Sequence, residues 1–195
     1  MTKKDENEVM EIESLREPMS VGKIFAESGL FPDIKSQAQA VVKILAGKEL
    51  GLSPFESMKN IYLVNGKLAI QSNALASLVK TSKKYDYKVD VITDKECKIT
   101  FFNIQRDEKE AIGTSEFTFA DAAKAGLVNK DNWKNFPKNM LFARALANGV
   151  RFYCPDAACG WHVQEEYEDL LQTDRKETIT ITADGTVGKV ENGET

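Results

Sequence analysis

The sequence has few of the residues on which enzymes and secreted proteins commonly depend. Its 195 residues include one histidine, His162, and three cysteines, Cys97, Cys154 and Cys159. A single histidine leaves little material for a catalytic triad or a multi-histidine metal site. Three cysteines are too few for a disulfide framework and odd in number, so the sequence predicts a reducing, cytoplasmic location.

Nucleotide-binding motifs and long apolar segments are also missing. No Gly-x-x-x-x-Gly-Lys-Ser/Thr loop occurs, which argues against an ATP-driven motor, and there is no dinucleotide fingerprint. The chain opens on a polar stretch with no apolar segment behind it, so we expect no signal peptide. No run approaches the length of a membrane span. We therefore expect no membrane partner, no ATP and no cofactor, with Mg²⁺ as a modulator at most.

Charge is distributed unevenly along a chain whose net charge is −4. Residues 1–20 carry 3 basic and 6 acidic groups, and residues 161–195 carry 3 basic and 9 acidic groups. Residues 21–160 carry 20 basic and 15 acidic groups, a net charge of +5. A mildly basic body between acidic ends is compatible with a nucleic-acid partner, although an ordinary solvated surface has the same charge pattern.

One helical stretch in the last third of the chain is the most informative. Pro137 fits the first turn of a helix over 137–152. Arg144 and Arg151 are seven residues apart, two turns, so they point the same way, with Asn148 between them. Guanidinium groups bind phosphate oxygens through charge-assisted hydrogen bonds, so the spacing indicates a phosphate-binding ridge. A structural pair, with one arginine buried against a carboxylate, is the alternative.

Other basic and aromatic residues could join this ridge. Two lysines lie one turn apart near the helix start, where a solvated face is the alternative. Three more close an earlier helix, where they could simply complement the helix dipole. Aromatic rings could stack on bases: of five candidates, a core position is favoured for Tyr62 and Phe136, Trp161 is the weakest, and the tryptophan before the long helix could only pin that helix. The two lysines near the helix start are Lys134 and Lys138, and the three at the end of the earlier helix are Lys80, Lys83 and Lys84. The main aromatic candidates are Trp133 and Tyr85.

The order of the predicted elements is that of an α+β domain. Asn65-Gly66 predicts a tight hairpin turn, and Ser53 and Pro54 predict a short capped helix. We expect an antiparallel meander of about five strands, a hairpin plus a three-stranded sheet, packed with helices. The other helices are predicted over 20–29, 36–50, 72–82, 118–126, 137–152 and 164–171, and the strands over 61–64, 67–70, 85–92, 97–104 and 111–117.

Three segments are predicted by composition. Residues 1–17 are polar and acidic and are expected to be disordered, residues 18–171 form one domain, and residues 172–195 form a polar acidic tail. Within the tail, Thr178–Thr182 alternates in polarity and could be an edge strand or remain loose.

Two metal sites can be imagined near the end of the domain. Cys154, Cys159 and His162 could supply three zinc ligands, but the spacing departs from known knuckles and ordinary loop cysteines are the commoner case. A second set of four carboxylates could hold Mg²⁺ for a nuclease, while an acidic helix start is the commoner explanation. This set is Glu165, Glu166, Glu168 and Asp169.

Several motifs coincide in order and spacing, and together they carry a family resemblance over about residues 36–170. They are Gly47-Lys-Glu-Leu-Gly-Leu-Ser-Pro54, the hairpin Ile61–Lys67, Tyr85, Trp133, Pro137, Met140-Leu141, Ala143-Arg144-Ala145, Arg151 and Glu165-Glu166. This order resembles the phage single-strand annealing proteins of the RecT/Redβ superfamily, in particular the Bet-like members.

The resemblance implies an ATP-independent protein of phage-type recombination that binds single-stranded DNA, pairs it with its complement and holds the duplex. It also implies a RecT/Redβ-like fold, a homo-oligomeric ring or helical filament, and action beside a phage exonuclease and the host single-strand-binding protein. It implies no covalent chemical step. Two other hypotheses remain: a non-enzymatic phage regulatory protein that binds a host protein through its acidic ends, and a metal-dependent nuclease.

Overall fold

The computed structural model describes residues 16–64, 66–106, 108–157, 161–166, 179–181 and 187–189. Most of the predicted disordered segment 1–17 and of the tail 172–195 lies outside these residues. The chain divides into two compact units, one up to Ile70 and one from Gln71, where the sequence predicted one domain over 18–171. The architecture is mixed α+β, as predicted.

The first unit combines three helices with a hairpin. Ser36 caps α2 by accepting from the Gln39 amide, and Gly51 follows the helix with a φ of 73°. A capping box formed by Ser53 and Glu56 starts α3. The elements are α1 (Arg16–Glu27), α2 (Gln37–Glu49), α3 (Pro54–Asn60), β1 (Ile61–Val64) and β2 (Lys67–Ile70), with β1 antiparallel to β2.

Helix α1 begins earlier than predicted. Ser20 was expected to cap it, but the helix starts at Arg16, and the Ser20 hydroxyl donates to the Arg16 carbonyl at 3.0 Å from inside the helix. A serine can bond a carbonyl one turn back, so it does not by itself mark a helix start. Gly29, with a φ of 68°, follows the helix where its end was predicted.

The core of the first unit includes a lysine. Ala40 and Ile44 of α2 are buried, whereas Val42 is 48% exposed. The helical period that predicted α2 was carried by other apolar positions, none of which is fully buried: Ala38, Val41, Val42, Leu45 and Ala46. Lys43 is fully buried, and its Nζ lies 2.9 Å from both Oδ2 of Asp33 and the carbonyl of Met58. Burial lowers the pKa of Lys43, and the hydrogen bond and charge of Asp33 oppose that shift.

The second unit contains a three-stranded antiparallel sheet of order β3-β4-β5. The first strand pairs with the second from Tyr85 opposite Asn103, with an irregularity between Val89 and Val91. The second pairs with the third from Glu96 opposite Thr118, with an irregularity between Phe101 and Phe102. The elements are α4 (Ser72–Thr81), β3 (Tyr85–Ile92), β4 (Glu96–Gln105), β5 (Glu108–Thr118), α5 (Phe119–Lys124), α6 (Asp131–Asn135) and α7 (Pro137–Tyr153).

Helix α7 packs closely on the sheet. Cys97, Ile99 and Phe101 alternate along β4 and are all fully buried. Gly149 lets the helix approach, because a Cβ atom there would lie 2.0 Å from Cε2 of Phe101. Pro137 starts the helix where a missing backbone N–H does no harm. The sheet therefore fixes the position of the helix that carries the predicted phosphate ridge.

The end of the chain is described in part. Residues 164–166 are helical, and the rest of the predicted helix 164–171 lies outside the described residues. The alternating stretch of the tail forms β6 (Ile179–Ile181), which pairs antiparallel with β7 (Val187–Lys189). Of the helices described, none is both long and apolar enough to cross a membrane.

Candidate nucleic-acid interface

Arg144 and Arg151 of α7 meet at one carboxylate. Nη2 of Arg151 donates to Oε1 and to Oε2 of Glu166, each at 2.7 Å. Nη1 of Arg144 lies 3.7 Å from the same Oε1. The Glu166 side chain is only 8% exposed. The two guanidinium groups therefore form a single anion site, which a carboxylate of the same chain occupies.

Glu166 reaches the arginines from a short segment beyond α7. Val163 is fully buried and anchors this segment, and the Glu166 amide donates to the Val163 carbonyl at 3.1 Å. Nδ1 of His162 lies 3.4 Å from Oε2 of Glu166. The alternative that the sequence left open, a structural arginine–carboxylate pair, is thus the arrangement in this structure. The sequence contained Glu166, but nothing in its spacing connected that residue to the arginines.

The two arginines differ in their access to solvent. The Arg144 side chain is 18% exposed, whereas that of Arg151 is 39% exposed. A guanidinium group has five N–H donors, and Glu166 engages Arg151 through Nη2 alone. Arg151 therefore keeps donors on Nε and Nη1 that Glu166 does not use. Asn148, half-buried, lies on α7 between the two arginines, as predicted.

The two lysines predicted at the helix start lie on different helices. Lys134 is exposed in the last turn of α6. Lys138 is the second residue of α7, with its Nζ 4.0 Å from Oδ1 of Asp94 in the turn between β3 and β4. Both side chains are exposed, so both can contact an anion, but an exposed pair at 4.0 Å holds Lys138 only weakly.

The second basic cluster is largely occupied by ion pairs. Lys80 pairs with Asp86 and donates to the Tyr87 carbonyl at 2.7 Å. Burial would raise the pKa of Asp86, but hydrogen bonds from Lys109 and Lys80 prevail and lower it to about 2. Lys83, with a φ of 57°, is exposed. Lys80 and Lys84 thus each pair with a carboxylate of the same chain, and both side chains remain exposed.

Lys84 and Tyr85 form a small network with Asp156. Lys84 pairs with Asp156, and the Tyr85 hydroxyl donates to Oδ1 of Asp156 at 2.6 Å. The hydrogen bond to Asp156 raises the pKa of Lys84, and burial raises the pKa of Tyr85. This network ties the start of β3 to the 3₁₀ turn Pro155–Ala157 that follows α7.

The two aromatic residues predicted to stack on bases are buried. Trp133 is fully buried in α6, 6.2 Å from the Phe117 ring, and Tyr85 is 7% exposed. Both predictions are wrong in this structure, because a buried ring cannot stack on a base. The Trp133 ring instead packs beside Phe117 of β5. Two aromatic residues of this region are exposed: Phe136, which precedes α7, at 59%, and Phe152, in the last turn of α7, at 71%.

A cleft of about 440 Å³ opens beside the N-terminus of α4. Glu165 contributes to its lining, and Oε1 of Glu165 accepts from the Ser72 hydroxyl at 2.6 Å. Its described lining includes one carboxylate and no lysine or arginine, so the cleft itself is no phosphate track. The lining residues are Ser72, Asn73, Val89, Ile92, Asn139, Met140, Phe142 and Glu165.

The two imagined metal sites gain no support from the described residues. Cys154 is fully buried, and burial raises the pKa of its thiol to about 12. Cys159, Glu168 and Asp169 lie outside the described residues. Within the described part of the chain, no three histidine, cysteine or carboxylate side chains lie close enough to hold a metal ion.

Comparison with protein-family models, with curated proteins and with solved structures found no match to this chain. The structure by itself defines a mixed α+β protein whose second unit carries a two-arginine anion site on a long helix.

Proposed function

We propose that this protein binds single-stranded DNA by its phosphate backbone and pairs complementary strands without ATP. The observation that carries this proposal is the convergence of Arg144 and Arg151 on one anion position. Phosphate contacts provide affinity without reading sequence, so they leave base edges available for pairing. A protein that anneals any complementary pair needs contacts of this kind.

The placement of the arginines on α7 supports the proposal. Gly149 and Phe101 pack the helix against the sheet, so the guanidinium groups start from a rigid element. Two guanidinium groups that converge on one position can bind a single phosphate from two sides, because their planar N–H donors match its oxygens. The exposed Lys134 and Lys138 add positive charge near the start of α7.

Base stacking is assigned in this proposal to Phe152 rather than to the buried rings. Phe152 follows Arg151 directly and is 71% exposed, with its ring edge-on to Tyr153 at 6.3 Å. Stacking of a base on an aromatic ring contributes about 1–3 kcal/mol and tolerates every base. A phosphate on Arg151 and a base on Phe152 would therefore belong to neighbouring parts of one bound strand.

The motif order gives the proposal its particular form. The resemblance to RecT/Redβ annealing proteins extends the function from binding to annealing, with the corresponding fold, no covalent step, and a phage exonuclease and host single-strand-binding protein as partners. It also includes a homo-oligomer. In the first unit, Phe25, Phe31 and Phe55 cluster with ring centroids 5.5–6.3 Å apart, and Phe55 is 57% exposed. We propose this cluster as a self-association surface.

The test is an annealing time course between complementary labelled oligonucleotides at low salt without ATP. We expect the protein to accelerate duplex formation, and Arg151→Ala to weaken single-strand binding about tenfold, because a charge-assisted hydrogen bond contributes about 1.5–3 kcal/mol. Arg151→Lys keeps the charge but loses the fork geometry, so its affinity should fall between the two.

Lys124→Ala is the matched control. Lys124 lies on α5 with its side chain 81% exposed, and its removal changes the net charge by the same amount. This variant should bind as the wild type does. Spontaneous annealing rates in the presence of the wild type would contradict the proposal, and cleavage of labelled DNA in Mg²⁺ would favour the nuclease instead.

A further inference from the structure

We propose that Glu166 occupies a phosphate subsite between Arg144 and Arg151 in the free protein, and that a phosphate of the bound strand replaces it. This inference rests on the proposed function. It goes further by assigning one carboxylate as an internal competitor, which sets the affinity of the ridge for DNA.

The geometry of the pair is that of phosphate recognition. A carboxylate and a phosphodiester both offer two charged oxygens to a guanidinium group, and arginine binds both with short charge-assisted bonds. Here both oxygens of Glu166 lie 2.7 Å from Nη2 of Arg151, with Arg144 beside the same carboxylate. Any anion that makes these contacts must displace or share them with Glu166.

Solvent reaches one side of this arrangement. Glu166 itself is shielded, but the Arg151 side chain is 39% exposed and His162, 3.4 Å from Glu166, is 52% exposed. An ion pair that is partly open to water is screened more than a fully buried one, so a strand with many phosphates can compete for Arg151.

The neighbouring carboxylate provides a matched control. Glu165 carries the same charge one residue away, but its Oε1 accepts from Ser72. Glu165→Gln and Glu166→Gln therefore change the net charge equally, but only Glu166→Gln removes the carboxylate on the arginines, whereas Glu165→Gln alters the contact with Ser72. A purely structural role for Glu166 would make Glu166→Gln less stable without opening an anion site.

The first measurement uses inorganic phosphate and no DNA. Thermal unfolding is followed by tryptophan fluorescence with phosphate or with chloride at equal ionic strength. We expect phosphate to raise the midpoint of Glu166→Gln by a few degrees, by linkage to a site that no longer holds a carboxylate, and to leave the wild type and Glu165→Gln unchanged. An equal response of all three proteins would overturn the subsite.

The second measurement is the anisotropy of a fluorescein-labelled oligodeoxythymidylate. We expect Glu166→Gln to bind about tenfold more tightly than the wild type and Glu165→Gln to stay within about twofold of it. In an Arg151→Gln background, the gain from Glu166→Gln should largely vanish, because the two residues act through one contact. The competitor role would be overturned if Glu166→Gln still raised the affinity for the oligonucleotide in the Arg151→Gln background. It would also be overturned if Glu166→Gln raised that affinity in neither background.

The two measurements separate the two proposals. A phosphate response of Glu166→Gln with no DNA binding by any variant would keep the subsite and overturn the annealing function. DNA binding without any effect of Glu166→Gln would keep the function and overturn the inference. If Glu166→Gln does not fold, Glu166→Asp, which withdraws the carboxylate by one methylene, must show the same directions in both assays.

Discussion

Gly149 determines how closely α7 can approach the sheet, and Gly149→Ala tests that contact. An added Cβ would lie 2.0 Å from Cε2 and 2.3 Å from Cζ of Phe101. Carbon atoms ordinarily pack at about 3.5–4.0 Å, so either the ring or the helix must shift by more than an ångström. Phe101 is fully buried, with the rings of Tyr87 and Tyr153 at 6.3 and 5.8 Å, so the ring has little space to turn.

The magnitude follows from two opposing effects. Overpacking a well-packed core costs about 1–3 kcal/mol. Replacing glycine by alanine inside a helix stabilises the helix by up to about 1 kcal/mol. The overpacking prevails because backbone and ring are both confined, and we expect a net loss of about 1–2 kcal/mol in the free energy of unfolding.

Urea unfolding followed by tryptophan fluorescence measures this loss in the second unit alone. Both tryptophans of the chain, Trp133 and Trp161, lie beyond Gln71. With a slope of about 1–3 kcal/mol per molar urea, the midpoint should fall by about 0.3–2 M. Asn148→Ala, one position earlier on α7, adds no atom to the core and should leave the midpoint unchanged or slightly higher.

A rescue separates the Phe101 contact from a general helix effect. Phe101→Leu removes the ring edge that the new Cβ would meet. Combined with Gly149→Ala, it should destabilise less than the sum of the single changes by at least about 0.5 kcal/mol. An unchanged or raised midpoint for Gly149→Ala alone, or strict additivity in the double variant, would show that the close approach is not what positions α7.

The remaining predictions concern a buried ion pair, a helix cap and an acidic side chain. Lys43→Met should destabilise the first unit by about 3–5 kcal/mol because Asp33 loses its cation, and adding Asp33→Asn should restore most of that loss, as measured by hydrogen exchange of α2. Thr118→Ala removes the capping box with Asp121 and should cost about 1 kcal/mol in urea unfolding; an unchanged midpoint would contradict the cap. Asp86, with its pKa lowered to about 2, should contribute up to about 2 kcal/mol that is present above about pH 4 and lost as the pH falls through its folded pKa. Asp86→Asn should therefore differ from the wild type near neutral pH and converge with it in acid.

Local chemistry in the sequence determined most of the element boundaries. The caps Ser36, Ser53 and Thr118 accept backbone N–H groups a few residues away, so no distant contact is needed to predict them. Gly66, with a φ of 75°, closes the predicted hairpin for the same reason. The three strands of the sheet were also predicted from the sequence: the bounds of β3 agree with the structure, and those of β4 and β5 fall short by one to three residues.

The buried faces were decided by the tertiary structure. Helical periodicity identified α2, but a helix with apolar residues on several sides can turn any of them inward, and Lys43 rather than Val42 points to the core. Trp133 has polar neighbours on both sides in the sequence, yet its ring is buried beside Phe117. Burial depends on which elements meet, and that information is not local.

The candidate site shows the same division. Spacing alone put Arg144 and Arg151 on one face of α7, because two helical turns bring residues back to the same side. Only the folded chain brings Glu166 onto both arginines, across an intervening turn and without any sequence periodicity. The sequence thus determined where the cations lie, and the tertiary structure decided which anion they hold, because charges pair through space and not along the chain.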